Sequence, residues 1–207
     1  MCEFDDEELA RRASFVVDQF GGIVPTSEVF YIHSILYSAG LSLEAFVRFE
    51  QLLEQEVEPS CLIGIIQEAV GHAAALSRYF WPSGLGFKEQ KETKKLRKHR
   101  GKKLREKFGI TDDSPLKSRS LRDTWEHFDE RLDVYLLKND TGYFFPNPII
   151  GKHHLADDPV GKVFKLLDPK AGCLVLLNNK FFYKPIKNEI NKIFNFASSA
   201  NKNGGRL

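Results

Sequence analysis

An arginine and a histidine five positions apart, Arg122 and His127, are the residues whose types and spacing best suit chemistry in this chain. A guanidinium grips a phosphate through paired hydrogen bonds and offsets its charge, and an imidazole moves a proton near neutral pH. Together these are the functions that cleavage of RNA without a metal requires. Asp123 directly follows the arginine and lies four residues before His127, so the two can touch on a continuous helix.

The element that must position them is a helix expected over about 115–138. It opens after Thr111-Asp112-Asp113-Ser114-Pro115 and closes at Asn139-Asp140-Thr141-Gly142. On a helical wheel, Leu121, Trp125, Phe128, Leu132, Tyr135 and Leu136 lie within about 60° of their mean direction and form a core stripe. Asp123, Glu126, His127 and Glu130 fall on the other side, with Arg122 on the flank. The polar set therefore faces solvent, a groove or a second subunit. The competing reading of the same spacing is a solvated face, with Arg122 paired to Glu126 and His127 to Asp123 or Glu130.

Other helices precede this one. Leu9, Ala13, Val16, Val17 and Phe20 recur at helical spacing, and Gly21-Gly22 stops them. Residues 26–57 read as one long helix, with Gly40 a potential break. Residues 60–80, rich in Gly and Ala, read as a central buried helix. Ser83-Gly84-Leu85-Gly86 is a flexible connection to a basic helix at about 90–108, stopped at Gly109. Beyond 141 the pattern changes. Residues 141–160 read as loop, and 163–167, 173–177 and 180–183 as short strands, with Asn178-Asn179 a two-residue hairpin turn. A last helix begins near Pro185, and 199–207 reads as a disordered tail.

The expected fold is mainly α. It is an up-and-down bundle of four to five helices with a small antiparallel β-hairpin or meander and a C-terminal helix. The bundle occupies 1–140; the loop, β element and final helix occupy 141–198.

The charge is uneven. Residues 88–107 carry eleven Lys/Arg against three Glu, a net of +8, inside a chain of net charge +2. Lys94, Lys95, Arg97, Lys98, Arg100, Lys102 and Lys103 therefore read as a phosphate-contacting surface for RNA, with a solvated helix as the plain alternative. With no aromatic residue between Phe87 and Phe108, base stacking is not expected there.

Three scattered cysteines without a CxxC pair argue against a zinc site or disulfide framework; Cys61 and Cys173 read as core residues, and Cys2 stands apart. His153-His154 with Asp157-Asp158 is too sparse for a metal site, and a glycine-rich phosphate loop is missing. No metal or cofactor is expected. The acidic start lacks the features of a signal peptide, and no uninterrupted apolar run reaches spanning length, so a soluble cytoplasmic protein without membrane contact is expected.

Arg122-Asp123-x3-His127 on the late helix of a helical bundle resembles the HEPN superfamily, the higher-eukaryote and prokaryote nucleotide-binding domain. The extension Trp125-Glu126-His127-Phe128-Asp129-Glu130-Arg131-Leu132-Asp133, with Ser77-Arg78-Tyr79-Phe80-Trp81-Pro82, is similar to an uncharacterised bacterial branch. The resemblance implies a metal-independent endoribonuclease or RNA-binding protein that acts as a homodimer, with two motifs facing one cleft. It implies catalytic roles for Arg122 and His127, an orienting role for Asp123, and 2′,3′-cyclic phosphate products. It further implies a place in phage defence or a toxin–antitoxin system, with an antitoxin or other protein partner. The alternative function is a non-catalytic helical scaffold that binds a protein partner.

Overall fold

The computed structural model describes residues 5–83 and 91–207; Cys2 and the expected connection at 84–86 lie outside them. The described residues are mainly helical, with seven α-helices and a small sheet region. The helices are α1 (Asp6–Phe20), α2 (Glu28–Leu52), α3 (Pro59–Phe80), α4 (Lys91–Phe108), α5 (Ser120–Glu126), α6 (Phe128–Lys138) and α7 (Lys184–Lys202). The strands are β1 (Tyr143–Phe145), β2 (Ile149–Ile150), β3 (Gly161–Val163), β4 (Lys165–Asp168), β5 (Cys173–Leu176) and β6 (Asn179–Phe182).

The chain divides into two compact units. One comprises Met1–Gly40, Ala75–Lys117 and Lys192–Leu207; the other comprises Leu41–Ala74 and Ser118–Asn191. The division runs through α2, α3 and α7, not through the boundary expected at 140, because each of these long helices supplies residues to both units. Gly40 does not interrupt α2.

In the first unit, Asp5 caps α1 by accepting a hydrogen bond from Glu8 N at 2.8 Å. Gly21, at φ 63°, ends the helix in the left-handed conformation that glycine adopts without a Cβ penalty. Ala13, Val17, Ile32, Ile35, Leu76, Phe80, Leu104, Ile193 and Ala197 are buried here. Ser77 Oγ donates to Leu116 O at 2.7 Å, tying α3 to the segment before α5. The chain end does not fray from residue 199 as expected. α7 continues to Lys202, Ala200 is buried, and Leu207 N donates to Glu28 Oε2 at 3.0 Å.

In the second unit, β4, β5 and β6 form the expected antiparallel meander, and β2 extends it by pairing parallel to β4. β1 and β3 make a separate parallel pair, so the stretch read as loop at 141–160 contributes strands. Val163, Leu166, Cys173 and Val175 form a buried cluster with Phe145, Ile149 and Leu155 packed against it. Each such side chain contributes about 1.5–3 kcal/mol through burial. The β5–β6 turn is Leu177-Asn178, one residue earlier than expected, with φ of 49° and 60°. Asn178 holds it. Its side chain accepts from Val163 N at 2.7 Å and from Tyr135 OH at 2.9 Å, and donates to Gly161 O at 2.9 Å.

One expectation about the cysteines is corrected. Cys61 is exposed, since it enters α3 on the outward face, whereas Cys173 is buried as expected. Pro25–Leu52 and Pro59–Phe80 are each long and apolar enough, at mean hydropathy 1.2, to meet the length and composition of a membrane span. Their Ser, Gly and His residues break the uninterrupted runs without lowering the average enough to matter. Both helices also bury core residues, among them Ile32, Ile35, Phe46, Ile66 and Leu76.

Candidate functional site

The motif lies in the second unit, on two helices where one was expected. α5 begins only at Ser120, and the helix breaks at His127, which has φ −111° and ψ 34° and is the last cap of α5 and the first of α6. Backbone hydrogen bonds from His127 N to Asp123 O and from Arg131 N to His127 O still cross the break, so it is a kink at one residue. Leu121 and Thr124 of α5 are buried, but α6 buries no residue at all. Leu136, placed in the core stripe by a continuous wheel, is 42% exposed, and Leu137 is 85% exposed.

Arg122 lines a cavity of about 250 Å³ with Gln67, Val70, Gly71, Leu121, Trp125 and Glu126. Its Nε donates to Glu126 Oε1 at 2.8 Å and a terminal nitrogen donates to the same oxygen at 2.5 Å. The pair sits one helical turn apart, where an exposed ion pair contributes about 0.3–0.5 kcal/mol.

His127 is largely open to solvent, with its side chain 58% exposed. Its Nδ1 stands 3.5 Å from Glu130 Oε1. Asp123 does not orient the ring as expected from four-residue spacing. Its contact with His127 is through the backbone, where His127 N donates to Asp123 O at 3.2 Å. That bond keeps the four-residue backbone register through Asp123, while Nδ1 of the ring is turned toward Glu130. Arg122 and His127 are thus each paired with a carboxylate of their own helix, as in the solvated-face reading, and do not touch one another.

The basic block belongs to the first unit, and α4 sorts it into two faces. One face anchors the helix. Lys103 Nζ donates to Glu28 Oε1 at 3.1 Å and to Ile23 O at 3.1 Å. Arg100 donates to Arg78 O at 3.0 Å and lies over the rings of Tyr31 and Tyr79. Arg97 is half-buried, and burial followed by the charge of Arg100 lowers its pKa. Unlike the exposed lysines of the same helix, Lys103 and Arg100 are thus engaged within the first unit. Their long side chains point inward because small Gly101 lets α4 approach Phe80 and Pro82 closely; a Cβ at Gly101 would lie 2.6 Å from Phe80 O.

The other face is exposed: Lys91, Lys94, Lys95, Lys98 and Lys102. Lys91, Lys95, Lys98 and Lys102 fall at helical spacing on one ridge. Asp18 lies 4.0 Å from Lys95, and Glu106 lies 3.7 Å from Lys102, both at exposed positions where pairing is weak.

His153 and His154 do not share a ligand. His153 Nδ1 meets Asp168 Oδ2 at 2.7 Å, and His154 Nδ1 meets Asp157 Oδ2 at 3.2 Å. Burial opposes ionisation of Asp168, but the backbone N–H and ring of His153 and the N–H of Ala171 outweigh it and hold its pKa at about 2. Sequence reasoning weighed the two histidines only as metal ligands and missed this pairing, because Asp168 is fifteen residues away.

No family model matches the chain, and neither a curated protein nor a solved structure is similar to it.

Proposed function

We propose that this chain is a HEPN-like, RNA-directed protein that works as a homodimer, with Arg122 and His127 supplying metal-independent endoribonuclease chemistry. The observation that carries the reading is the helix break at His127. It leaves a proton-transfer group open to solvent at the head of a helix that buries nothing of its own. Leu136 and Leu137 on that helix offer an apolar surface for a second copy, which would bring two motifs to one cleft. The helices are read as an up-and-down bundle that presents this edge.

In the chemistry, His127 takes the proton of an RNA 2′-hydroxyl as its oxygen attacks the adjacent phosphorus. The bond from phosphorus to the 5′-oxygen breaks, and a protonated imidazole returns a proton to that leaving oxygen. Arg122 leaves Glu126 to hold the phosphate and stabilise charge growing on its oxygens. Glu130, not Asp123, orients the imidazole. The products are a 2′,3′-cyclic phosphate and a 5′-hydroxyl. The exposed lysines of α4 supply sequence-independent phosphate contacts. A cytoplasmic role in phage defence or a toxin–antitoxin pair, with an antitoxin as partner, belongs to the same reading.

A second reading is favoured by one observation. Arg122 and His127 each face a carboxylate of their own subunit, as in a non-catalytic scaffold that binds a protein partner.

The test is incubation of the purified protein with a mixed RNA pool in EDTA, beside His127→Ala. Cleavage by the wild type alone supports the enzyme. Absence of cleavage by either protein moves the assignment to the scaffold, and equal cleavage by both removes His127 from the mechanism.

A further inference from the structure

The largest cavity among those described in the second unit, about 440 Å³, opens beside the motif, and of its lining only Glu130 enters the chemistry above. One face of α6 forms its wall, with Arg131, Val134, Tyr135 and Lys138 at successive helical turns. Leu177 of the β5–β6 turn and Asn179, the first residue of β6, form the opposing part. Leu177 holds a left-handed φ of 49°, a conformation that a branched side chain adopts only under constraint, and the Asn178 hydrogen bonds keep it there.

What distinguishes this cavity is its charge. In the neighbouring 250 Å³ cavity, Arg122 is neutralised by Glu126. Here the side chains of Arg131 and Lys138 have no carboxylate partner among the described residues. Glu130 also lines the cavity, and its carboxylate is shared with His127, 3.5 Å away. The two cations are separated by seven residues, about 10.5 Å along the helix. Flexible arginine and lysine side chains bridge that distance to converge on one anion. Val134 and Leu177 add apolar surface between them.

We infer that this cavity binds a phosphate monoester carrying a small apolar group, with Arg131 and Lys138 gripping the phosphoryl oxygens. Arg131 and Lys138 less Glu130 leave the lining at a formal charge of +1, which attracts the charge of about −1.5 to −2 that a phosphate monoester carries near pH 7. Arginine supplies the forked donor and lysine a point charge. The apolar body rests on Val134 and Leu177. The site stands on the cavity and its unpaired cations, independently of RNA cleavage.

The experiment titrates the intact protein with phenyl phosphate, phenol and inorganic phosphate by calorimetry at low salt. Saturable binding of phenyl phosphate, weaker binding of inorganic phosphate and no binding of phenol are expected. An Arg131→Gln/Lys138→Gln variant should weaken phenyl phosphate at least about tenfold, because two charge-assisted hydrogen bonds are removed. Arg131→Lys/Lys138→Arg should retain most of the affinity, and Lys170→Gln/Lys202→Gln, at exposed lysines that do not line the cavity, all of it. Thermal melting of each variant verifies the fold. Unchanged binding by the double glutamine variant overturns the proposal, as does phenol binding as tightly as phenyl phosphate. Lack of saturation by about 10 mM also overturns it.

Discussion

Two nitrogens of Arg122 converge on one oxygen of Glu126, at 2.8 and 2.5 Å, so the residue best suited to grip a phosphate is held by its own helix. Any use of Arg122 on RNA has to displace that carboxylate. Glu126→Gln removes the competing charge and should raise RNA affinity several-fold, while Arg122→Ala should abolish the gain. Because the pair is exposed and one turn apart, thermal stability should change by no more than about 0.5 kcal/mol. Filter binding and melting curves on both variants separate the two effects.

Leu137 reports on assembly. It is 85% exposed on a helix without a buried residue, so Leu137→Asp should leave the folded monomer intact. If a second copy covers α6, light scattering should show dimer for the wild type and monomer for the variant, with RNA cleavage abolished alongside. A wild-type monomer at micromolar concentration would remove the homodimer from the reading.

The two faces of α4 should separate on mutation. Replacing Lys94, Lys95, Lys98 and Lys102 by Gln should weaken RNA binding and flatten its salt dependence. On single-stranded RNA the logarithmic slope should flatten by about 0.7 for each phosphate that is no longer neutralised. Lys103→Gln should act on the fold instead. Its side chain is only 19% exposed and its ammonium serves Glu28 and Ile23 O, so stability should fall by about 1–3 kcal/mol. Chemical denaturation and salt titrations of binding measure the contrast.

Asp168 makes stability depend on acid. Its pKa falls from 3.8 to about 2 in the folded protein, so the folded state binds its proton more weakly than the unfolded chain does. The stabilisation is full above about pH 4 and is lost as pH falls through about 2, on the order of 2 kcal/mol. Denaturation midpoints measured from pH 6 to pH 2 should follow that fall. Asp168→Asn should lower the midpoint at pH 6 and reduce its later decline.

Much of this architecture could be read from residue patterns, and the failures have physical causes. Gly21 and Gly109 mark helix ends because left-handed backbone is cheapest for glycine, and both have positive φ. The β5–β6 turn shifted by one residue because a leucine occupies a left-handed position that local preference assigns to Asn or Gly. Asn178 overrides that preference through hydrogen bonds with Val163, Gly161 and Tyr135, all distant in sequence. The break at His127 has neither proline nor glycine to announce it, and the apolar stripe runs straight through it. Beyond it Leu136 is exposed, and Glu130 in place of Asp123 stands beside the imidazole. The division of α4 was legible in principle, since Lys91, Lys95, Lys98 and Lys102 recur on one face while Arg100 and Leu104 recur on another. Which basic residues would turn inward depended on Glu28, Tyr31 and the carbonyl of Arg78, which only the tertiary fold supplies.

The central claim is that a 2′-hydroxyl attacks its neighbouring phosphate under the control of Arg122 and His127. The direct measurement uses a short RNA and the same RNA carrying one 2′-deoxy sugar at the cleaved position, each incubated with the protein in EDTA, with the ends identified by mass spectrometry. The expected result is cleavage of the all-ribose strand to a 2′,3′-cyclic phosphate and no cut in its deoxy counterpart. Equal cleavage of both strands, or no cleavage of either by the intact dimer, would contradict it.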